Sequence, residues 1–280
     1  MVGWLVLFVV LWVLVIVLSA VSLPLQFRGR DEFHVGLIIA GFRLYARVVH
    51  RVRFVGLEHA AYAARAHRGG RPVIVAPNHT AGVDPILVQA GLGFEPRWMM
   101  ASDMRADGME WVWDLGRIIF VDRNGNDARA ARTALRHLKD GHALGVFPEG
   151  HLERPARTIL PFRPGVGLLA RGAKALVLPV WIDGTPQKDP AWASLWLPSR
   201  STVTFLEPVD YAGSGLDAQG IADDLRTRLL DASGWEATAR TPVITNGHRL
   251  LIDLEGRYYD ERTGERLTDD EVRERTGVDV

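Results

Sequence analysis

Not one of the 280 residues is a cysteine, which excludes disulfides, thiolate zinc sites and cysteine nucleophiles. Such a composition suits a reducing compartment. Net charge is lacking too. The 33 Lys and Arg balance 33 Asp and Glu, so no global field draws the chain to nucleic acid, and no nucleic-acid partner is expected. There is no Gly-x-Ser-x-Gly elbow, hence no motif for a serine-borne acyl-enzyme. Nothing between residues 57 and 240 resembles a linker, and no internal repeat occurs. What remains, 48% hydrophobic and 24% charged residues, is a globular composition with room for one ordinary domain and attachments.

Charge is also missing from the N-terminus. Val2 to Val21 is apolar except for Gly3 and Ser19, long enough for a spanning helix of about 20 residues. A cleaved signal peptide is the rival reading, but it lacks a basic start and its apolar core is too long. Positive charge follows only on the C-terminal side, at Arg28, Arg30, Arg43, Arg47, Arg51 and Arg53. The expectation is a single-pass anchor over 1–25 in the cell membrane, with the rest of the chain on the cytoplasmic side. Arg43, Arg47 and Arg51 recur every four residues, which predicts a basic amphipathic helix within 26–56 lying on anionic headgroups. The alternative is a helix packed on the globular domain with its arginines in water.

From residue 57 the patterns of helix and strand alternate. Helices are expected at Leu57–Arg68, from Asp84-Pro85 to about Leu92, and at Ser102–Leu115, Asn126–Asp140 and Leu216–Ala232. Strands are expected at Pro72–Pro77, Arg117–Val121, Ala143–Phe147, Ala175–Ile182 and Thr202–Leu206. Alternation of this kind predicts an α/β fold: a layered domain with a mostly parallel central sheet flanked by helices, preceded by the membrane helix. The division expected is a catalytic domain over 57–240 and a C-terminal β-hairpin with an acidic tail over 241–280. Residues 117–174 hold eleven Lys/Arg against five Asp/Glu, and 250–280 hold five Arg against ten acidic residues; solvated helix faces account for such blocks.

Three segments carry chemistry. In Asn78-His79-Thr80-Ala81-Gly82-Val83-Asp84 the helix begins only after the turn, so the Asp84 carboxylate can fold back onto the His79 ring. That contact would fix the tautomer and leave the other ring nitrogen as a general base. The alternative makes Asp84 a helix N-cap and His79 a loop residue. Phe147-Pro148-Glu149-Gly150 follows another strand and brings Glu149 to the same sheet edge, where it either holds an acceptor hydroxyl or orders a loop. Gly116-Arg117-Ile118-Ile119-Phe120-Val121-Asp122-Arg123 ends in a guanidinium suited to phosphate or carboxylate.

In this order, with Leu160-Pro161-Phe162-Arg163-Pro164-Gly165 and Leu178-Pro179-Val180-Trp181-Ile182, the motifs resemble the glycerolipid acyltransferase family, whose best-known members are 1-acylglycerol-3-phosphate acyltransferases. The resemblance covers about residues 57–210. It implies an acyltransferase with His79 as base and Asp84 as its orienting partner, and with Glu149, Gly150 and Arg123 binding the acceptor; Asn78 is a further substrate-binding candidate, and Arg154, Arg157 or Arg163 are candidates to hold an acceptor phosphate, Arg163 first among them. It implies direct transfer of a fatty acyl group from acyl-CoA or acyl-carrier protein, as co-substrate, to a lysophosphatidate-like acceptor in phospholipid synthesis. No cofactor and no metal are expected; the partners expected are the membrane bilayer, the lipid acceptor and the acyl thioester donor. One departure stands out. Where the family continues Phe-Pro-Glu-Gly with Thr-Arg, this chain reads His151-Leu152-Glu153-Arg154. A different lipid or glycolipid hydroxyl therefore stays open as acceptor, as do a non-catalytic lipid carrier and a hydrolase using water.

Overall fold

Residues 73–77 are all buried, and the reason lies in how the sheet is covered. In the computed structural model, which describes residues 12–13, 30–105, 108, 110–122, 127–153, 155–188, 190–245, 248–253 and 257–277, this β-branched run is a central strand with helices on both faces. Successive side chains of a strand point to opposite faces. Val73 and Val75 enter one apolar cluster, while Ile74 and Ala76 enter the other. A strand buried on both sides reads as a continuous apolar run rather than as an alternation.

The elements in chain order are α1 (Arg30–Val48), β1 (Arg53–Val55), α2 (Leu57–Arg68), β2 (Val73–Pro77), α3 (Asp84–Gly91), β3 (Arg97–Ala101), α4 (Glu110–Leu115), β4 (Ile119–Val121), α5 (Ala128–Lys139), β5 (Ala143–Gly145), β6 (Thr158–Ile159), α6 (Gly165–Ala173), β7 (Leu176–Asp183), β8 (Thr202–Phe205), β9 (Val209–Asp210), α7 (Ala218–Ser233), β10 (Glu236–Ala237), β11 (Thr241–Thr245), β12 (His248–Ile252), β13 (Tyr258–Asp260) and α8 (Asp269–Thr276). The main sheet runs β1-β8-β7-β2-β5-β3-β4. Strands β7, β2, β5, β3 and β4 are mutually parallel, whereas β8 and β9 pair antiparallel with β7. Helices α1, α2 and α3 supply Ala46, Ala63 and Leu87 to one face. Helices α5, α6 and α7 supply Leu138, Val166 and Leu225 to the other. The fold is thus α/β with a mostly parallel central sheet, as the sequence predicts.

Three local expectations are corrected. Among the described residues of the helix expected over 102–115, a 3₁₀ turn at Ser102–Met104 precedes the shorter α4, and Arg97–Ala101, for which the sequence predicts no strand, extends the sheet between β5 and β4. The basic helix expected within 26–56 spans Arg30–Val48, and Arg53–Val55 pairs in parallel with β8. Its arginines do not share one face toward lipid or water. Arg43 is half-buried and donates to the carbonyls of Ala90 and Leu92 at 2.9 and 3.2 Å, satisfying C-terminal acceptors of α3. At the C-terminus, the hairpin is one part of a three-stranded antiparallel sheet, β11-β12-β13. The tail forms α8, opened by a capping box between Thr268 and Glu271.

The proposed anchor, residues 1–25, lies outside the described residues except for Trp12 and Val13. Among the described residues no helix is long and apolar enough to cross a membrane.

Candidate active site

At the C-terminal end of β2 the chain leaves the sheet, and Asn78 controls how. Its side-chain amide donates to the carbonyl of Ile182 at 3.1 Å and accepts from the amide of Ile182 at 2.7 Å. It thereby prolongs the β2–β7 pairing by one rung with a side chain. Asn78 is entirely buried, and both ends of its amide are engaged in holding the loop. Asn78→Ala should destabilise the fold by roughly 1–3 kcal/mol for each of the two backbone groups of Ile182 that it strands. Denaturant unfolding measures this, while Michaelis constants of the folded variant should stay unchanged.

The next residue is His79. Its Nδ1 lies 2.9 Å from Oδ2 of Asp84. A carboxylate only accepts, so Nδ1 carries a proton, and in the neutral ring the lone pair is on Nε2. Asp84 is completely buried and collects further donors: Thr80 N at 2.6 Å and Ala81 N at 2.8 Å on Oδ2, and Thr80 Oγ1 at 3.0 Å on Oδ1. The sequence allowed Asp84 to be a helix N-cap; that position belongs to Val83, and Asp84 is the first helical residue. Its side chain turns back over the loop because three donors there need an acceptor. The Val83 amide is satisfied by Ser194 Oγ at 3.0 Å. Close approach of a neighbouring chain fixes the turn further. A Cβ on Gly82 would stand 2.6 Å from the Ala191 carbonyl oxygen.

The ring itself is held by an aromatic stack. His79 lies on Phe147 with centroids 3.9 Å apart and planes at 20°, and Phe147 lies on Trp98 at 5.4 Å and 24°. Trp98 reaches this place because residue 145 is glycine: a Cβ there would come within 2.3 Å of the indole. The His79 side chain is 20% exposed, so one edge of a ring fixed on its other sides remains reachable.

Glu149 joins the same loop from β5. One oxygen accepts from the His79 amide at 2.8 Å and the other from the Leu160 amide at 3.0 Å. Burial foremost, then the Glu153 carboxylate, pushes its pKa well above the ordinary 4.5; the two amide donors oppose this without outweighing it. Glu149 is 2% exposed. Of the two roles the sequence left open, loop ordering is the one this geometry serves. Glu153, also buried, donates its amide to the His79 carbonyl at 2.6 Å, so both backbone groups of His79 are bonded to the 149–153 segment.

Gly150 turns this segment with φ 72°, and Arg163 passes over it. The Arg163 guanidinium donates through Nη2 to Nε2 of His151 at 3.2 Å. Arg163 is exposed whereas His151 and Leu152 are buried. Arg123, expected at the end of β4, lies outside the described residues. The structure therefore brings together His79, Asp84, Asn78, Glu149 and Gly150, with Arg163 beside Gly150. Sequence reading missed Thr80, Phe147, Trp98, Ser194 and His151. Thr80, Phe147 and His151 had a signal, as members of segments already singled out, whereas Trp98 and Ser194 had none.

Two open clefts lie elsewhere. One of ≈370 Å³ is lined by Lys174, Tyr211 and Leu216 among others, and one of ≈460 Å³ by Arg43, Phe54 and Gly91 among others. Neither contains His79 or any acid–base pair, so chemistry rather than cavity size locates the site. Among the described residues no group of three or more His, Cys, Asp and Glu could hold a metal.

Residues 51–183 match the family model described as Acyltransferase. The fold is similar to the crystal structure of the 1-acyl-sn-glycerophosphate (LPA) acyltransferase PlsC from Thermotoga maritima. The match has 20% identity and a TM-score of 0.59, and covers 78% of this chain and 86% of that one.

Proposed function

We propose, from the match of residues 51–183 to the Acyltransferase family model, that the protein transfers a fatty acyl group from acyl-CoA or acyl-carrier protein to a hydroxyl of a lysophosphatidate-like acceptor. The observation that carries this reading is the His79–Asp84 pair: a partly exposed ring whose Nδ1–H is committed to a buried carboxylate, leaving Nε2 as base. Nε2 takes the hydroxyl proton as the acceptor oxygen attacks the thioester carbonyl. The C–S bond then breaks, and the proton leaves with the thiolate as free thiol. The Asp84 carboxylate stabilises the imidazolium between these steps. Transfer is direct, within a ternary complex. The membrane location belongs to the same reading, with residues 1–25 as a single-pass anchor and the domain on the cytoplasmic side.

The acceptor phosphate is assigned to Arg163, with Arg123 added by the family resemblance. Arg163 is exposed beside Gly150 and His151, and a planar guanidinium suits a phosphomonoester. Arg163→Ala should raise the acceptor's Michaelis constant about 10–100-fold, the equivalent of a charge-assisted contact. The donor's constant should stay nearly unchanged, and Arg163→Lys should restore only part. One observation favours a second reading. Leu152, at the place where the family pattern has arginine, is buried, so that position offers the acceptor no charge. An acceptor constant unmoved by Arg163→Ala would select a hydroxyl lipid without phosphate.

A further inference from the structure

We propose that the loop Trp196–Pro198, with Val48, Arg51 and Arg200 around it, is a docking surface for an anionic lipid bilayer. The loop follows the 3₁₀ turn Ala191–Leu195 and is tied at both ends to the end of α1. Tyr45 Oη donates to the Leu195 carbonyl at 2.6 Å, and the Ser199 and Ser201 amides donate to Val49 and His50 carbonyls at 3.2 and 3.1 Å. Beneath it His50, with no exposed surface, bridges Tyr45 Oη at 2.9 Å and Ser199 Oγ at 2.8 Å. Polar groups thus lie inside, while Trp196 stands 82% exposed, Val48 64% and Leu197 36%. That inverts the usual order of burial, and the exposed indole sits on a framework fixed by hydrogen bonds.

Charge decides the occupant. Residues 33–57 and 190–206 contain no Asp or Glu, and Arg51 and Arg200 are both exposed on neighbouring strands of backbone. An exposed amphipathic indole flanked by Arg51 and Arg200, on segments that carry no acidic residue, matches the headgroup layer of an anionic membrane, where tryptophan partitions to the interface and arginine meets phosphate. The consequence for the active site is proximity. Ser194, two residues before Trp196, bonds the Val83 amide, and Ala191 packs on Gly82, so a docked loop sets the His79 turn close to the lipid surface.

The absence of cysteine permits a clean test in the full chain. Trp196→Cys, labelled with an environment-sensitive fluorophore, is mixed with phosphatidylcholine vesicles containing phosphatidylglycerol and nitroxide-labelled lipid. The control label sits at Asp231→Cys, exposed on α7. The expected result is a blue shift and loss of emission to the nitroxide at 196 but not at 231. Both should weaken in Arg51→Glu/Arg200→Glu and on phosphatidylcholine alone. A label at 196 that stays unshifted and unquenched while the protein sediments with the vesicles overturns the proposal. So does a shift that needs no vesicles and grows with protein concentration, which would identify a second copy as the occupant. Equal quenching on charged and uncharged vesicles would overturn the anionic preference.

Discussion

His79→Ala should lower turnover at least ~10²-fold, the contribution of a positioned general base, while the protein remains folded. The fold survives because the main-chain partners of His79, the Glu149 carboxylate and the Glu153 amide, do not depend on its side chain. The ring's own losses are modest: one stacking contact with Phe147, worth about 0.5–1.5 kcal/mol by analogy with aromatic pairs, and one of several donors to Asp84. The buried carboxylate keeps the Thr80 and Ala81 amides. Turnover measured beside a thermal melt separates the two effects. Near-wild-type turnover in a folded His79→Ala protein would remove the base from the account.

Glu149→Ala should be the most damaging change to the site's framework. Two amides, of His79 and Leu160, lose their acceptors inside the protein. At roughly 1–3 kcal/mol for each stranded donor, about 2–6 kcal/mol of stability should disappear, a large share of what a domain of this size possesses. Activity should fall with it, because the same bond fixes the backbone that carries His79. Glu149→Gln should cost much less and should reveal the titration. The folded-state pKa of Glu149 is raised, so the folded chain holds more protons than the unfolded one between pH 4.5 and that raised value. Stability from this group is therefore complete below 4.5 and falls as pH rises through the folded value. Urea midpoints measured from pH 4 upward should show that decline in the wild type and lack it in Glu149→Gln. Identical pH slopes in the two proteins would contradict the raised pKa of Glu149.

Much of this was legible from residues because it is local. The strand over 72–77 announces itself by β-branched residues between prolines, and Asp84-Pro85 marks the start of α3. The His-x4-Asp contact was legible for the same reason, since a turn before a helix start lets the two side chains meet. What escaped is set by distant partners. Arg97–Ala101 contains no β-branched residue, and only pairing with β5 and β4 makes it a strand. The bonds of Asn78 could not be read from its surroundings in the sequence, because Ile182, 104 residues on, takes both ends of its amide. The loop-ordering bonds of Glu149 escaped for the same reason, since their donors are the amides of residues 79 and 160. Arg43 belongs to a basic stripe by spacing, yet the open carbonyls at the end of α3 draw it inward. The capping box Thr268-Asp269-Asp270-Glu271 was visible in the sequence, and it marks the helix that a reading as an acidic tail passes over.

The central claim, direct transfer driven by His79, is tested most directly by following both products together. Purified protein receives an acyl-CoA and lysophosphatidate, with free thiol read colorimetrically and acylated lipid read by mass spectrometry. The account predicts one thiol per acylated lipid, no release when the acceptor is omitted, and neither product with His79→Ala. Thiol released equally fast without acceptor would make the protein a hydrolase, and a folded protein that released none with any lipid hydroxyl would be a carrier; either result contradicts the account.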